Sequence, residues 1–389
     1  MSSSADAHPS PPMLASKEQS APLEIASMRT SSPPSPLPAF LRWSGPLLTH
    51  AYSAGLILHR CFSRPRRAPL TTLCIGNLTV GGTGKTPAVR YFARMLSRLG
   101  RRPAVLMRGY KGQSADEARE TAEALASLNV PVLIGSDRFA NACLARDRGC
   151  DVVLLDDGFQ HWRLARDLDI VLIDALDPFG GNQLLPLGRL REKPAALSRA
   201  QIVIITRTDM LPASQLSMLN QQIKAYAPKA ILARARHKPV RLMDCHTKKE
   251  QAIGQLNGMP IIAACGIGNP QGFHRTLVQL GANVLDFVTY PDHYIYRRED
   301  LENLNSRATE RAAHCIVVTE KDAVKLAALT AASAIPLWCL AIEFEIVDAE
   351  AAVNSRIEQA LAESIPNAVR CAGDGSSLLE PKIKDILSL

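Results

Sequence analysis

Three observations in the 389-residue chain predict an α/β fold: a parallel sheet flanked by helices, with a second, smaller α/β domain and an N-terminal hydrophobic helix. From residue 68 onward, short apolar runs alternate with amphipathic stretches. A glycine-rich segment lies directly between one such run and the helical pattern after it. The alternation breaks into polar, irregular sequence at 236–258 and then resumes.

Taken in order, residues 1–38 are dominated by Ser, Pro and Ala, including Ser31-Ser32-Pro33-Pro34-Ser35-Pro36. Such a segment buries too little apolar surface to offset its ordering entropy and reads as a disordered extension. Residues 39–67 read as a membrane-associating helix with a basic flank: AFLRWSGPLLTHAYSAGLILHRCF, then Arg64, Arg66 and Arg67. Arg42, Pro46 and His50 argue against a clean bilayer span, whereas Trp43, Tyr52, Phe62 and the arginines suit an interfacial helix. A helix docked on the protein's own core is the alternative.

The nucleotide-binding domain is assigned to 68–235. Leu70–Ile75, Ala104–Met107, Val130–Ile134, Val152–Leu155, Ile170–Ile173 and Ile202–Ile205 read as strands buried on both faces. Ala88–Leu99 and Asp137–Arg148 read as the helices between them. A linker is expected at 236–258 and the smaller α/β domain at 259–365, with strands at Pro260–Cys265 and Ile316–Thr319 and a helix from Ala351 to Ile365. Residues 366–389 read as a tail.

Composition narrows the function class. Between Ile25 and Ala115 there are 14 Lys and Arg and no Asp or Glu, a local +14 against a whole-chain +8, so the remainder carries −6. A segment so basic is expected to face phosphates or an anionic surface. No aromatic-interleaved basic motif accompanies it, so nucleic acid is not expected as a partner. The nine cysteines are scattered without a CxxC pair, which points away from a disulfide framework or structural zinc site.

The most specific feature is Gly76-Asn77-Leu78-Thr79-Val80-Gly81-Gly82-Thr83-Gly84-Lys85-Thr86, between a strand and a helix. Glycines let successive N–H groups and the helix N-terminus converge on one anion. Lys85 would neutralise β- and γ-phosphates, and the Thr86 hydroxyl would ligate Mg²⁺. Residues 79–86 are therefore the expected nucleotide cradle, and the fold class becomes a P-loop NTPase-type parallel sheet flanked by helices. Thr79 stands where a regular loop of this type has its first glycine. Asp156 and Asp157 end a hydrophobic strand, where NTPases hold or water-bridge Mg²⁺. Asp116-Glu117 reads either as a favourable helix start or as a carboxylate that activates an acceptor hydroxyl. Tyr290-Pro291-Asp292-His293-Tyr294 sets an acid beside an imidazole, and Thr319-Glu320-Lys321-Asp322 lies at the carboxyl end of a strand, where ligands sit in open α/β sheets.

These blocks together resemble the tetraacyldisaccharide 4'-kinases (lipid A 4'-kinases). GNLTVGGTGKTP (76–87), RGYKG (108–112), DDGFQHWRLARDLDIVLID (156–174), LPLGRLRE (185–192), GIGNPQGF (266–273), YPDHY (290–294) and TEKDAVKL (319–326) occur in that family's order. The resemblance implies transfer of the γ-phosphate of ATP to the 4'-hydroxyl of an acylated glucosamine disaccharide 1-phosphate, with Mg²⁺. It also implies peripheral or monotopic placement on the anionic cytoplasmic face of the bacterial inner membrane; no obligate protein partner is evident. Carried over by position, Asp116 matches the general base and His293 the histidine that supports it. Lys85 and Asp157 join the catalytic set, with Thr86, Asp156 and Glu117 around the metal. Ala115 and Ala118 depart from the family's Gly-Asp-Glu-Pro, and the stretch between RGYKG and Asp116 is short. Arg108, Tyr110, Gln160, His161 and Arg191 are expected to line the acceptor cleft. The alternatives are a membrane-associated ATPase of the partitioning type, disfavoured because Val80 replaces its additional lysine, and a GTPase in which Ile205-Thr206-Arg207-Thr208-Asp209 reads guanine.

Overall fold

In the computed structural model, the described residues are 39–109, 113–292, 294–329 and 335–371, with side chains left out at 39–47, 57, 113–116 and 364–371. The expected extension at 1–38 and the end of the tail lie outside them. In chain order the elements are α1 (Ala39–Phe62), β1 (Thr71–Asn77), α2 (Lys85–Arg98), β2 (Pro103–Met107), α3 (Gln113–Leu125), β3 (Val132–Ile134), α4 (Arg138–Asp147), β4 (Val152–Asp156), β5 (Leu168–Asp174), β6 (Ile202–Thr206), α5 (Ala213–Tyr226) and β7 (Ile231–Asp244). There follow β8 (Glu250–Gln251), β9 (Pro260–Cys265), α6 (Pro270–Gln279), β10 (Asn283–Thr289), α7 (Arg298–Glu310), β11 (Cys315–Thr319), α8 (Glu320–Ala327), β12 (Leu337–Asp348) and α9 (Glu350–Cys371).

All six strands expected in 68–235 form, and they pair in parallel in the order β6-β5-β1-β4-β2-β3. Each of β1, β2, β4, β5 and β6 is buried along its whole length, as continuous apolar runs require in a sheet covered on both faces. Leu73 and Ile75 of β1 pack with Phe92 of α2 on one face, while Cys74 packs with Ala142 of α4 on the other. Helix α4 begins where Asp137 accepts hydrogen bonds from the backbone N–H groups of Phe139 and Ala140.

Residues 236–258 differ from the expected linker. Arg236–Asp244 is the second part of β7, which pairs in parallel with β6 through Ile231–Arg234 and antiparallel with β12 beyond that. The polar composition hides a period-two pattern: Ala233, Ala235 and His237 are buried, whereas Arg234 and Arg236 project outward to Asp348 and Glu345 on the neighbouring strand. Through this pairing the sheet continues as β7-β12-β11-β9-β10, so both halves of the chain share one twelve-stranded sheet.

The later half has apolar clusters on both faces of β9 and β11, with Ile262 and Ile316 on one side and Ile261 and Val317 on the other. Helix α9 continues past the expected end at Ile365. Its Val353, Ile357 and Leu361 pack with Phe92 in the cluster on the first half of the sheet, so this helix covers the nucleotide-binding half.

Phe92 is fully buried and its ring meets Tyr91 and Phe344, tying α2 to β12. Phe92→Ala should therefore lower the unfolding free energy by about 3–5 kcal/mol, measured by urea denaturation.

Candidate active site

The parallel register of β1 and β4 sets Ile75 opposite Asp156. The loop after β1 and the acidic pair at the end of β4 therefore emerge side by side. Asn77, fully buried, donates to the Thr79 carbonyl at 2.8 Å and the Thr83 hydroxyl at 2.9 Å, folding the loop back on itself. Gly81 and Gly84 take positive φ angles of 117° and 87°, which glycine adopts without steric cost. A side chain at Gly84 would also run into the His237 ring beneath it. Helix α2 starts after Gly84 with no side-chain cap, so its first N–H groups remain directed at the cavity.

A cavity of about 470 Å³ is lined by residues 80–86 together with Arg108, Glu117, Asp156, Asp157 and Arg191. Lys85 Nζ lies 3.7 Å from the Asp157 carboxylate, and Arg191 reaches the same carboxylate at 2.7 Å. Burial pushes the Asp157 carboxyl up, but Lys85 and Arg191 outweigh it and hold the group below the ordinary carboxylate range. Asp156 goes the other way: burial, reinforced by the neighbouring Asp157 charge, raises it to about 6. Its Oδ1 is buried and has no hydrogen-bond partner, as expected of an atom that awaits a cation. Among the described residues no cluster of three or more His, Cys, Asp or Glu could hold a metal ion. The unpartnered carboxylate oxygen of Asp156 fits Mg²⁺, which takes one or two carboxylates and otherwise phosphate oxygens and water.

Not every expected site residue reaches this cavity. Thr79 is buried below it, bridged to Leu190, and so props the loop instead of lining it. Gln160 stands behind the acids, donating to the Asn77 carbonyl at 3.0 Å and to Glu192 at 3.1 Å. His161 is also outside the lining; burial, with help from Arg138 and Arg166, lowers it to about 4 and keeps it neutral. Tyr110, His293 and the Asp116 side chain lie outside the described residues. The immediate neighbours of the latter two, Asp292 and Glu117, both line the cavity.

Several lining residues were not anticipated as site residues, among them Arg138, Arg207, His237 and Lys321. Arg138 is almost wholly buried and donates to the Asp156 carbonyl at 3.0 Å. Arg207 joins Asp174 at 2.6 Å to the Gly82 carbonyl at 3.0 Å. His237 is buried under Gly84 and kept neutral by burial and by the Arg207 charge. Lys321 lies in the noted TEKD block without an assigned role. Arg138 and His237 carry no local motif, and Arg207 lies in a block noted for a different role; only the fold brings them to the loop. Arg207 turns inward while Asp209 is exposed and outside the cavity lining, which is the wrong placement for reading a guanine.

The family described as "Tetraacyldisaccharide-1-P 4'-kinase" matches residues 48–362. The chain belongs to this family. The tetraacyldisaccharide 4'-kinase of Syntrophus aciditrophicus is 38% identical over 326 residues, covering 76% of this chain and 87% of the relative. That of Anaeromyxobacter sp. (strain Fw109-5) is 38% identical over 331 residues, covering 80% and 86%. Among solved structures, LpxK from Aquifex aeolicus in complex with ATP superposes with a TM-score of 0.61 at 25% identity, covering 82% of this chain and 99% of that one. The family accounts for the order of the seven sequence blocks and for a P-loop α/β core continued into a second half. Membership of this family, with an ATP-complexed member of the same fold, supports ATP as the nucleotide.

The raised Asp156 carboxyl has a signed consequence for stability. The folded chain binds this proton more tightly than the unfolded chain, so the contribution is fully present below pH ~4 and lost as pH rises through about 6. In metal-free buffer, Asp156→Asn should match the wild type at pH 4 and exceed it by about 1–3 kcal/mol at pH 8 in urea denaturation.

Proposed function

We propose that residues 80–86, Asp116 and the acidic pair at 156–157 together carry phosphoryl transfer from ATP to the 4'-hydroxyl of a tetraacylated glucosamine disaccharide 1-phosphate. The chain is a lipid kinase of lipid A biosynthesis. The observation that carries the residue assignment is the convergence, in one cavity, of an uncapped helix N-terminus with Lys85, the Asp156-Asp157 pair and Glu117, the residue after Asp116.

Phosphoryl transfer asks the protein for alignment and charge neutralisation more than for covalent chemistry. The loop amides and the N-terminus of α2 hold the phosphates, and Lys85 compensates charge on the transferred group. Thr86, Asp156 and Glu117 are the groups that would hold Mg²⁺, with Asp157 beside them held by Lys85 and Arg191. When bound, Mg²⁺ neutralises the β- and γ-phosphate oxygens. The Asp116 carboxylate accepts the proton of the 4'-hydroxyl as that oxygen attacks the γ-phosphorus and the bond to the β,γ-bridging oxygen breaks, releasing ADP, and His293 supports the base. Arg191, held on Asp157, and Arg108 supply positive charge for an acceptor that itself bears a phosphate.

Helix α1 and the segment after it support placement at a membrane. The Tyr52 hydroxyl donates to the Arg191 carbonyl at 3.1 Å, docking this part of the helix beside the cleft. Leu58 and Phe62 are exposed, as are Arg60, Arg64, Arg66 and Arg67. Exposed apolar and basic groups in one segment suit insertion at an anionic lipid surface, and we assign this to the cytoplasmic face of the bacterial inner membrane. Among the described residues no helix is long and apolar enough to cross a membrane.

Incubation with ATP, Mg²⁺ and the disaccharide acceptor in detergent micelles should yield labelled 4'-phosphate product. Asp116→Ala should lower kcat by roughly 10²–10⁴ while ATP binding, followed by calorimetry, is retained. Wild-type turnover in that variant would place the base elsewhere.

A further inference from the structure

The Thr319–Asp322 turn is braced from below. Asp322, with no exposed surface, accepts from the Gly266 N–H at 3.0 Å and from the Thr319 hydroxyl at 2.6 Å. Thr319 in turn caps α8 by accepting from the Asp322 N–H. With the turn fixed in this way, the side chain of Lys321 enters the cavity. Its ammonium lies 3.0 Å from the Glu117 carboxylate on α3 and 3.2 Å from the Asp292 carboxylate in the 290–294 loop. These two acids come from opposite halves of the chain, and without a cation between them they would repel each other.

Their positions give the contact its meaning. Glu117 directly follows Asp116, and Asp292 directly precedes His293. We infer that Lys321 is a positioning residue that clamps the start of α3 to the 290–294 loop and so sets the approach of Asp116 to its supporting histidine. This inference rests on the roles proposed above for Asp116 and His293. An ammonium suits the task because one point charge with several donors can serve two carboxylates from different directions.

A clamp that acts through its neighbours should affect turnover more than nucleotide affinity. In the micelle assay, Lys321→Met should lower kcat by about 10–100-fold, with the ATP Kd within about threefold of wild type. Lys321→Arg, which keeps the charge and can span both acids, should recover most of the loss. Asp292→Asn should reproduce much of the defect, and adding it to Lys321→Met should cost little more because both changes break one bridge. A kcat for Lys321→Met within threefold of wild type would overturn the clamp. So would a kcat loss matched by an equal loss of ATP affinity and left unrepaired by arginine, and so would fully additive effects in the double variant. Absence of 4'-phosphate product from the wild type would instead overturn the underlying reading.

Discussion

The site depends on the parallel pairing of β1 with β4 in a register that sets Ile75 against Asp156. Both strands are buried along their whole length, so each face of β1 must match a different apolar cluster. Slipping either strand by one residue would turn Leu73 and Ile75 away from α2 and carry the acidic pair away from the loop. Because the register is held by packing on both faces, the amide cradle and the acids are preorganised before nucleotide arrives. The unpartnered Asp156 oxygen is the energetic trace of that arrangement: a buried acceptor retained at a cost beside the loop cavity.

Charge is distributed by the fold more subtly than by the sequence. The basic stretch up to Ala115 contributes Lys85, Arg90 and Arg108 to the cavity, while Arg138, Arg191 and Arg207 come from the acidic remainder of the chain. Much of the early excess is used elsewhere. Arg60 lies over the Trp162 ring, Arg66 over Phe139, and Arg67 pairs with Asp167. The local +14 is therefore divided between the cavity and contacts to the rest of the protein.

What could be read from sequence was governed by how local its cause is. Continuous apolar runs such as Val152–Leu155 have few ways to be buried other than as interior strands, and the spacing of glycines before Lys85 has few uses other than anion binding. By contrast, β7 reads as polar linker because its outward residues are arginines and lysines whose partners, Glu345 and Asp348, lie more than a hundred residues away. Arg138 and His237 have no local signature, since their roles arise from packing under residues distant in sequence. Gln160 and His161 sat in the right block, yet they stand behind the cavity wall, because side chains near a strand end can face either the ligand or the scaffold.

The continuation of one sheet through β7 and β12 explains how a second half can take part in a site built on the first. Asn269 accepts from the Gly272 N–H to cap α6 and also donates to Asp174 at 2.7 Å, the carboxylate that holds Arg207. Arg207 reaches the Gly82 carbonyl, so a chain of three side chains links the phosphate loop to the start of α6. Asp174 and Arg207 are both nearly inaccessible to solvent. A buried ion pair of this kind adds little net stability, because desolvation offsets most of its attraction. Its value lies in specificity: a misplaced Asn269 or Gly82 would leave a buried charge or donor without a partner, at several kcal/mol. The geometry of the loop is therefore coupled to the placement of the later half.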